Sequence, residues 1–241
     1  PVPSGSRFGL TTWSSGNSIF DDFSLNFPAP VAIQENFDHS GDLDARPDWT
    51  TLLFGNSSAD FGFIADPFGG SGQVLDAPAG PLVIATHDPL VLPADTSFVA
   101  TLDVGFTASG IFGGLIIGAT DADNWISFEL GDGNTANGVV QDRLFRIRRS
   151  DGGSESTLLS PPAGTLPPIQ RGRFYELKLE GSAGSPMVSY RISDTTDASV
   201  LTSGTLDLGT AVGANTRFGI ISVSSNATVY DNLSLSLTPN P

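Results

Sequence analysis

The sequence predicts an all-β chain folded as a two-sheet antiparallel β-sandwich, and three observations carry that prediction. First, 28 Gly and 17 Pro are spread along all 241 residues, punctuating the chain about every ten residues, a spacing that suits short strands and turns. Second, Glu occurs only at positions 35, 129, 155, 176 and 180; the remaining acids are Asp, which favours turns and strand ends over helix interiors. Third, apolar residues alternate with polar ones at Phe98, Ala100, Leu102, Val104 and Phe106, and again at Tyr175, Leu177 and Leu179, the period-2 pattern of a strand with one face in a core. With 39% hydrophobic residues and 16 Phe there is enough apolar material to fill the space between two sheets.

The chain opens on a segment that is repeated near its end. Residues 7–27 match 217–237 at a constant offset of 210 with no gap, and eight positions are identical. Arg7-Phe8-Gly9-Leu10 corresponds to Arg217-Phe218-Gly219-Ile220, and Ile19-Phe20-Asp21-Asp22-Phe23-Ser24-Leu25 to Val229-Tyr230-Asp231-Asn232-Leu233-Ser234-Leu235. Each copy reads as two strands joined by a Ser/Gly/Asn turn, a closing hairpin. Pro-rich stretches follow both, Phe27-Pro28-Ala29-Pro30 and Thr238-Pro239-Asn240-Pro241, and have the composition of stiff linkers. Two organisations fit: one sandwich with two similar edge hairpins, or a tandem array in which residues 1–30 end a preceding repeat and 31–241 form a whole module. Under the second, Phe8, Leu10, Phe20, Phe23 and Leu25 are assembly residues that complete another copy or a neighbouring repeat. The start at Pro1-Val2-Pro3 and the single Met at position 187 lead us to expect a longer precursor whose secretion signal lies elsewhere.

Within the module, Gln34-Glu35-Asn36-Phe37-Asp38 leads through a polar loop to Trp49, which follows Pro47-Asp48 and is expected in a loop. Strands are then expected over 97–106, 113–119, 124–130, 144–149, 174–179 and 188–192, followed by the closing pair. Thr120-Asp121-Ala122-Asp123-Asn124 lies between two apolar strands and is expected as a hairpin turn.

The segments Glu35-Asn36-Phe37-Asp38, Phe98 to Phe106, Gly113 to Leu130, Arg173 to Glu180, Arg217 to Ile220 and Tyr230 to Leu235 resemble, in that order, the laminin-G-like jelly rolls of the concanavalin A-like lectin/glucanase superfamily, over about residues 33–237. The resemblance implies a jelly roll and, in many sugar-binding relatives, a structural calcium between the first and last strands, for which Glu35, Asp38 and Asp231 would be the ligands here. These are strand patterns, which specify fold better than function.

Several activities lack their residues. The glucanase branch places paired carboxylates along one strand, and no such run occurs; Glu129, in Phe128-Glu129-Leu130, has no partner at that spacing and is expected to face solvent. His39 and His87 stand in polar contexts expected at the surface, without a nucleophile elbow, and there is no Cys for a disulfide, thiolate ligand or thiol nucleophile. A net charge of −15 disfavours nucleic-acid backbones. Arg143 to Arg149 is the single cationic concentration, expected to form local ion pairs on a solvated strand. No apolar run reaches the length of a membrane span. Sugar binding would require aromatic rings available for stacking, and the candidates are Trp49, Trp125 and Tyr175, each also a candidate for core packing. The sequence therefore supports a non-catalytic structural or adhesive repeat module of a large extracellular bacterial protein, secreted or at the cell surface and assembling head to tail. The alternative is a carbohydrate-binding module attached to a secreted enzyme, with glycans as partners.

Overall fold

The structure is a computed structural model and describes residues 31–54, 61–77, 82–108, 112–132, 143–162, 165–167, 169–223 and 227–240. It is all β: two antiparallel sheets pack face to face, and among the described residues the only helical element is a 3-10 turn, Leu43–Ala45.

The eight-stranded sheet contains β1 (Val31–Glu35), β3 (Gly62–Ala65), β4 (Gln73–Asp76), β6 (Thr96–Phe106), β11 (Phe174–Ser182), β12 (Met187–Asp194), β13 (Val200–Asp207) and β15 (Thr228–Pro239). Its order is β13-β12-β11-β6-β15-β4-β3, with β1 also on β15. The seven-stranded sheet contains β2 (Trp49–Phe54), β5 (Leu82–Val91), β7 (Phe112–Asp121), β8 (Asn124–Asp132), β9 (Arg143–Asp151), β10 (Ser154–Leu159) and β14 (Arg217–Val223), in the order β10-β9-β8-β7-β14-β5-β2.

The period-2 pattern in the sequence becomes the core. On β6, Phe98, Ala100, Leu102 and Val104 are buried while the residues between them are half-buried. They meet Leu177 and Leu179 of the same sheet and Leu115, Ile117, Phe128, Leu130, Phe145, Phe218 and Ile220 of the other, and Phe98 and Phe218 make an edge contact across the sandwich at 5.3 Å. Side-chain alternation fixes register here, since a one-residue slip would turn each of these groups to the opposite face.

Four strands lie where no regular alternation marks them. β2 includes Trp49, expected in a loop, and pairs with β5 from Trp49↔His87 to Phe54↔Leu82. β5 opens on a continuous apolar run, Leu82-Val83-Ile84-Ala85, because both faces are covered there: Val83 and Ala85 join the main core, Leu82 and Ile84 a second cluster on the outer face of the sheet. It passes through Pro89, which has no N–H to donate, and its register with β14 jumps there from His87 to Val91. β10 is mostly exposed, β13 has exposed and half-buried residues in equal number and none buried, and the two sit at the outer ends of the two sheets.

The closing hairpin is corrected. β14 and β15 follow each other in sequence but do not pair: β14 lies between β7 and β5 in one sheet, β15 between β6 and β4 in the other. β14 ends in one sheet and β15 begins in the other, so both strands are flanked by partners distant in sequence. The first copy of this motif, with Phe8, Leu10, Phe20, Phe23 and Leu25, lies outside the described residues.

Candidate ligand groove

On the outer face of the eight-stranded sheet, four neighbouring strands bring one polar residue each into a single row. Register places Asp231 of β15 opposite Asp103 of β6, Asp103 opposite Glu176 of β11, and Glu176 opposite Ser193 of β12. Their chain neighbours Tyr230, Leu102, Val104, Tyr175, Leu177 and Ile192 are buried in the core, so alternation turns the row outward. Two residues along, Arg191 donates from Nη2 to Glu176 Oε1 at 2.8 Å. The hydroxyl of Ser193 is buried and has no hydrogen-bond partner, although the residue is only 7% exposed.

A bulge in β15 splits the face into two cavities. The register of β15 on β6 shifts between Asp231 and Ser234, and Asn232 takes a left-handed φ of 49°, a conformation that Asn tolerates better than most residues. Its side chain thereby reaches across the strand and donates from Nδ2 to Asp103 Oδ2 at 2.9 Å. On one side of this bond a cavity of about 380 Å³ is lined by Asp103, Glu176, Arg191, Ser193 and Asp194. On the other a cavity of about 250 Å³ is lined by Asn36, Asp38, Asp66, Gln73, Asp231 and Asn232.

Crowding of carboxylates marks the two acids at the divide. Burial pushes Asp103 up to about 6; the Asn232 hydrogen bond opposes the shift and the nearby Glu176 charge adds to it. Asp231 is likewise pushed up to about 6, first by burial, then by the charges of Asp103, Asp38 and Asp66, against the Asn232 N–H that favours its ionised form.

The predicted calcium ligands separate. Asp38 and Asp231 line the same cavity, joined by Asp66, which the sequence reading missed because it lies in a loop between β3 and β4. Glu35 is not with them: its Oε1 accepts from the Phe37 N–H at 2.9 Å and lies 2.9 Å from His39 Nε2, and its Oε2 pairs with Arg46 at 3.2 Å. At the cavity, Asp38 accepts from the Gln73 N–H and from Asn36 Nδ2, Asp66 from the N–H groups of Phe68 and Gly70, and Asp231 from that of Asn232. Gln73 Oε1 is buried without a partner. Among the described residues no three His, Asp or Glu side chains converge as a metal centre. The donor chemistry of this cavity, carboxylate and amide oxygens with one orphaned amide oxygen, is nonetheless of the type a hard cation takes.

The three predicted stacking residues are all buried: Trp49 is 5% exposed, Trp125 2% and Tyr175 1%. Trp49 packs at an edge on His87 with centroids 5.2 Å apart, so His87 is also interior, and burial lowers its pKa. Tyr175 accepts the Gln170 N–H on its hydroxyl at 2.7 Å. Trp125 does lie on the outer face of its sheet, as alternation with Ser127 and Glu129 implies, but it packs there with Ile84, Ile116 and Ile221. Alternation identifies a face without saying whether the face is wet. The exposed large hydrophobic residues among those described are Ile64, Val91, Met187 and Val200, none of them aromatic.

Glu129 is corrected in the same way. It is fully buried and ion-paired with Arg146 at 2.7 Å and Arg148 at 2.7 Å, while Arg148 also pairs with Glu155. The basic stretch is therefore the partner of a buried acid rather than a solvated strand face.

No family model and no curated protein sequence matches the chain. Among solved structures, a basic winged bean lectin with Tn-antigen aligns at a TM-score of 0.53 and 10% identity, covering 86% of this chain and 98% of the lectin. A peanut lectin with a nine-residue peptide aligns at 0.54 and 9% identity, covering 88% and 98%. The exoplasmic/lumenal domain of VIP36 in a Ca2+- and Man3GlcNAc-bound form aligns at 0.50 and 12% identity, covering 81% and 84%. At such identities the likeness is one of fold: the described strands form the concanavalin A-like jelly roll that these lectins share.

Proposed function

We propose that the chain is a carbohydrate-binding module of an extracellular protein, secreted or at the cell surface, and that its ligand lies in the groove on the outer face of the eight-stranded sheet. The observation that carries this reading is the row Asp231, Asp103, Glu176 and Ser193, with Arg191 beside it, on a sandwich of lectin fold. Carboxylates accept from sugar hydroxyls, while Arg191 and the unpartnered Ser193 hydroxyl donate to them. The described residues of this face include no exposed aromatic, so recognition by the row itself rests on hydrogen bonds, and the acidic floor repels uronic and sulfated glycans. The ligand class is thus a neutral or amine-bearing glycan.

The test is binding to a panel of neutral, amine-bearing and anionic polysaccharides by the whole chain and by Asp103→Ala and Glu176→Ala. We expect binding to the first two classes, weakened at least tenfold by either substitution. Binding that survives both substitutions removes the groove from the proposal, and absence of binding to every glycan overturns the reading.

A calcium ion would take its donors from the neighbouring cavity, whose lining includes the carboxylates of Asp38, Asp66 and Asp231 and the amide of Gln73. A melting temperature that rises with added calcium and returns with chelator is the expected result, by mass action on the folded state; indifference to both excludes the ion. A second reading, a structural or adhesive repeat, is favoured by the 210-residue repetition of 7–27 in 217–237.

A further inference from the structure

We propose that residues 7–27 are the β14–β15 pair of a second sandwich of the same fold, so that this chain carries one whole module together with the two central closing strands of its neighbour. The inference rests on the repeat reading above and is independent of glycan binding.

The position of β14 and β15 gives the repetition its meaning. Each occupies an interior place in its own sheet, β14 flanked by β7 and β5, β15 by β6 and β4. A module deprived of them would lose an interior strand from both sheets at once, and with it Phe218, Ile220, Tyr230, Leu233 and Leu235 of the core. The module 31–241 already has this pair in place, so neither of its sheets has a vacancy for a second copy.

The match follows what these positions demand rather than composition alone. Wherever β14 or β15 faces the main core, the first copy carries a large apolar residue: Phe8 for Phe218, Leu10 for Ile220, Phe20 for Tyr230, Phe23 for Leu233, Leu25 for Leu235 and Phe27 for Leu237. Where β15 bulges, at Asp231-Asn232, it carries Asp21-Asp22, the residue types that tolerate a left-handed backbone. The most discriminating position is Gly219. A Cβ there would collide with the carbonyl oxygen of Ala85 and the backbone of Thr86 on the neighbouring strand, so the sheet admits only glycine, and the first copy has Gly9. An apolar segment selected merely for covering a surface has no need of a glycine at that place.

The partner is therefore a second sandwich of this fold, contacted through a strand in each of its sheets. Successive modules of such an array are joined in sequence by the Pro-rich stretch 27–30 and its counterpart 238–241, and repetition of the arrangement is head to tail and open-ended.

Two variants of the whole chain test this. In the first, residues 217–237 are replaced by the sequence of 7–27, which has equal length; a control receives the same 21 residues in shuffled order. We expect the chimera to fold with a cooperative melt and a β-type circular dichroism spectrum, and the shuffled control not to. A chimera as unfolded as the control overturns the proposal. In the second, residues 1–30 are deleted. We expect the melting temperature to stay where it is and the Trp fluorescence maximum to match that of a full-length Trp13→Phe control, since Trp13 lies within the deleted residues. A fall in melting temperature with a red shift would show that the segment packs on its own module, for instance over Ile84, Ile116, Ile221 and Trp125, and would equally overturn it. Glycan binding is measured on the same deletion, so failure of this proposal and of the binding proposal are told apart.

Discussion

Asp103 and Asp231 are held at about 6 in the folded chain against an ordinary value of 3.8, which has a definite consequence for stability. A carboxyl whose folded value lies above its unfolded one is penalised when ionised. Below about pH 4 both states are protonated and no penalty exists; between about 4 and 6 the unfolded chain has already released its protons and stability falls; above about 6 the loss is complete. Stability contributed at this face therefore decreases as pH rises, the reverse of the usual carboxylate. Asp103→Asn, which keeps an oxygen to accept from Asn232, is expected to raise the melting temperature at pH 7 and leave it unchanged at pH 4, as read from thermal melts across that range. An equal effect at both pH values would mean that charge is not the cause. None of this was readable beforehand, because Asp103 and Glu176 are 73 residues apart in a sequence that gives each an ordinary strand context.

At the scale of elements, β8 and β9 pair antiparallel and are tied by an ion cluster. Glu129 is fully buried with Arg146 and Arg148 against it; Arg148 lies 5.3 Å over the Trp125 ring and Arg146 3.7 Å over that of Phe112. Removing one partner of such a cluster leaves a buried charge uncompensated. Glu129→Gln is expected to destabilise by about 3–5 kcal/mol, measured as a fall in the urea midpoint at constant slope. A change below about 1 kcal/mol would place the cluster with exposed ion pairs instead. Strands with one buried face, β6 and β11, were legible from alternation alone. β5 was not, because cover on both faces erases alternation, nor were β10 and β13, outer strands with no fully buried residue. The turn between β7 and β8 was legible for a local reason: Asp121 Oδ1 accepts from the Asp123 N–H at 2.8 Å and from Asn124 Nδ2 at 2.8 Å, a closure that needs nothing from the rest of the chain.

For the whole molecule, stability rests on the layer between the sheets. Leu102 is fully buried at the middle of β6, flanked in its sheet by β11 and β15. Leu102→Ala is expected to cost about 2–5 kcal/mol through lost contacts and the cavity left behind, read by chemical denaturation, whereas Val200→Ala at an exposed outer strand should cost under about 0.5 kcal/mol. The sequence by itself determined the all-β class, the inward faces of the one-sided strands, the exclusion of thiol chemistry and the repetition of 7–27, because each depends on local pattern or on comparison of the chain with itself. Only the tertiary structure decided that β14 and β15 belong to different sheets, that Trp49, Trp125, Tyr175 and Glu129 are interior, that Glu35 turns away from Asp38 and Asp231, and that Asp103, Glu176 and Ser193 share one row. Those outcomes depend on which strands become neighbours, and in an antiparallel sandwich neighbours come from distant parts of the chain: period-2 alternation assigns a residue to a face, while strand order decides what lies beside that face and what covers it.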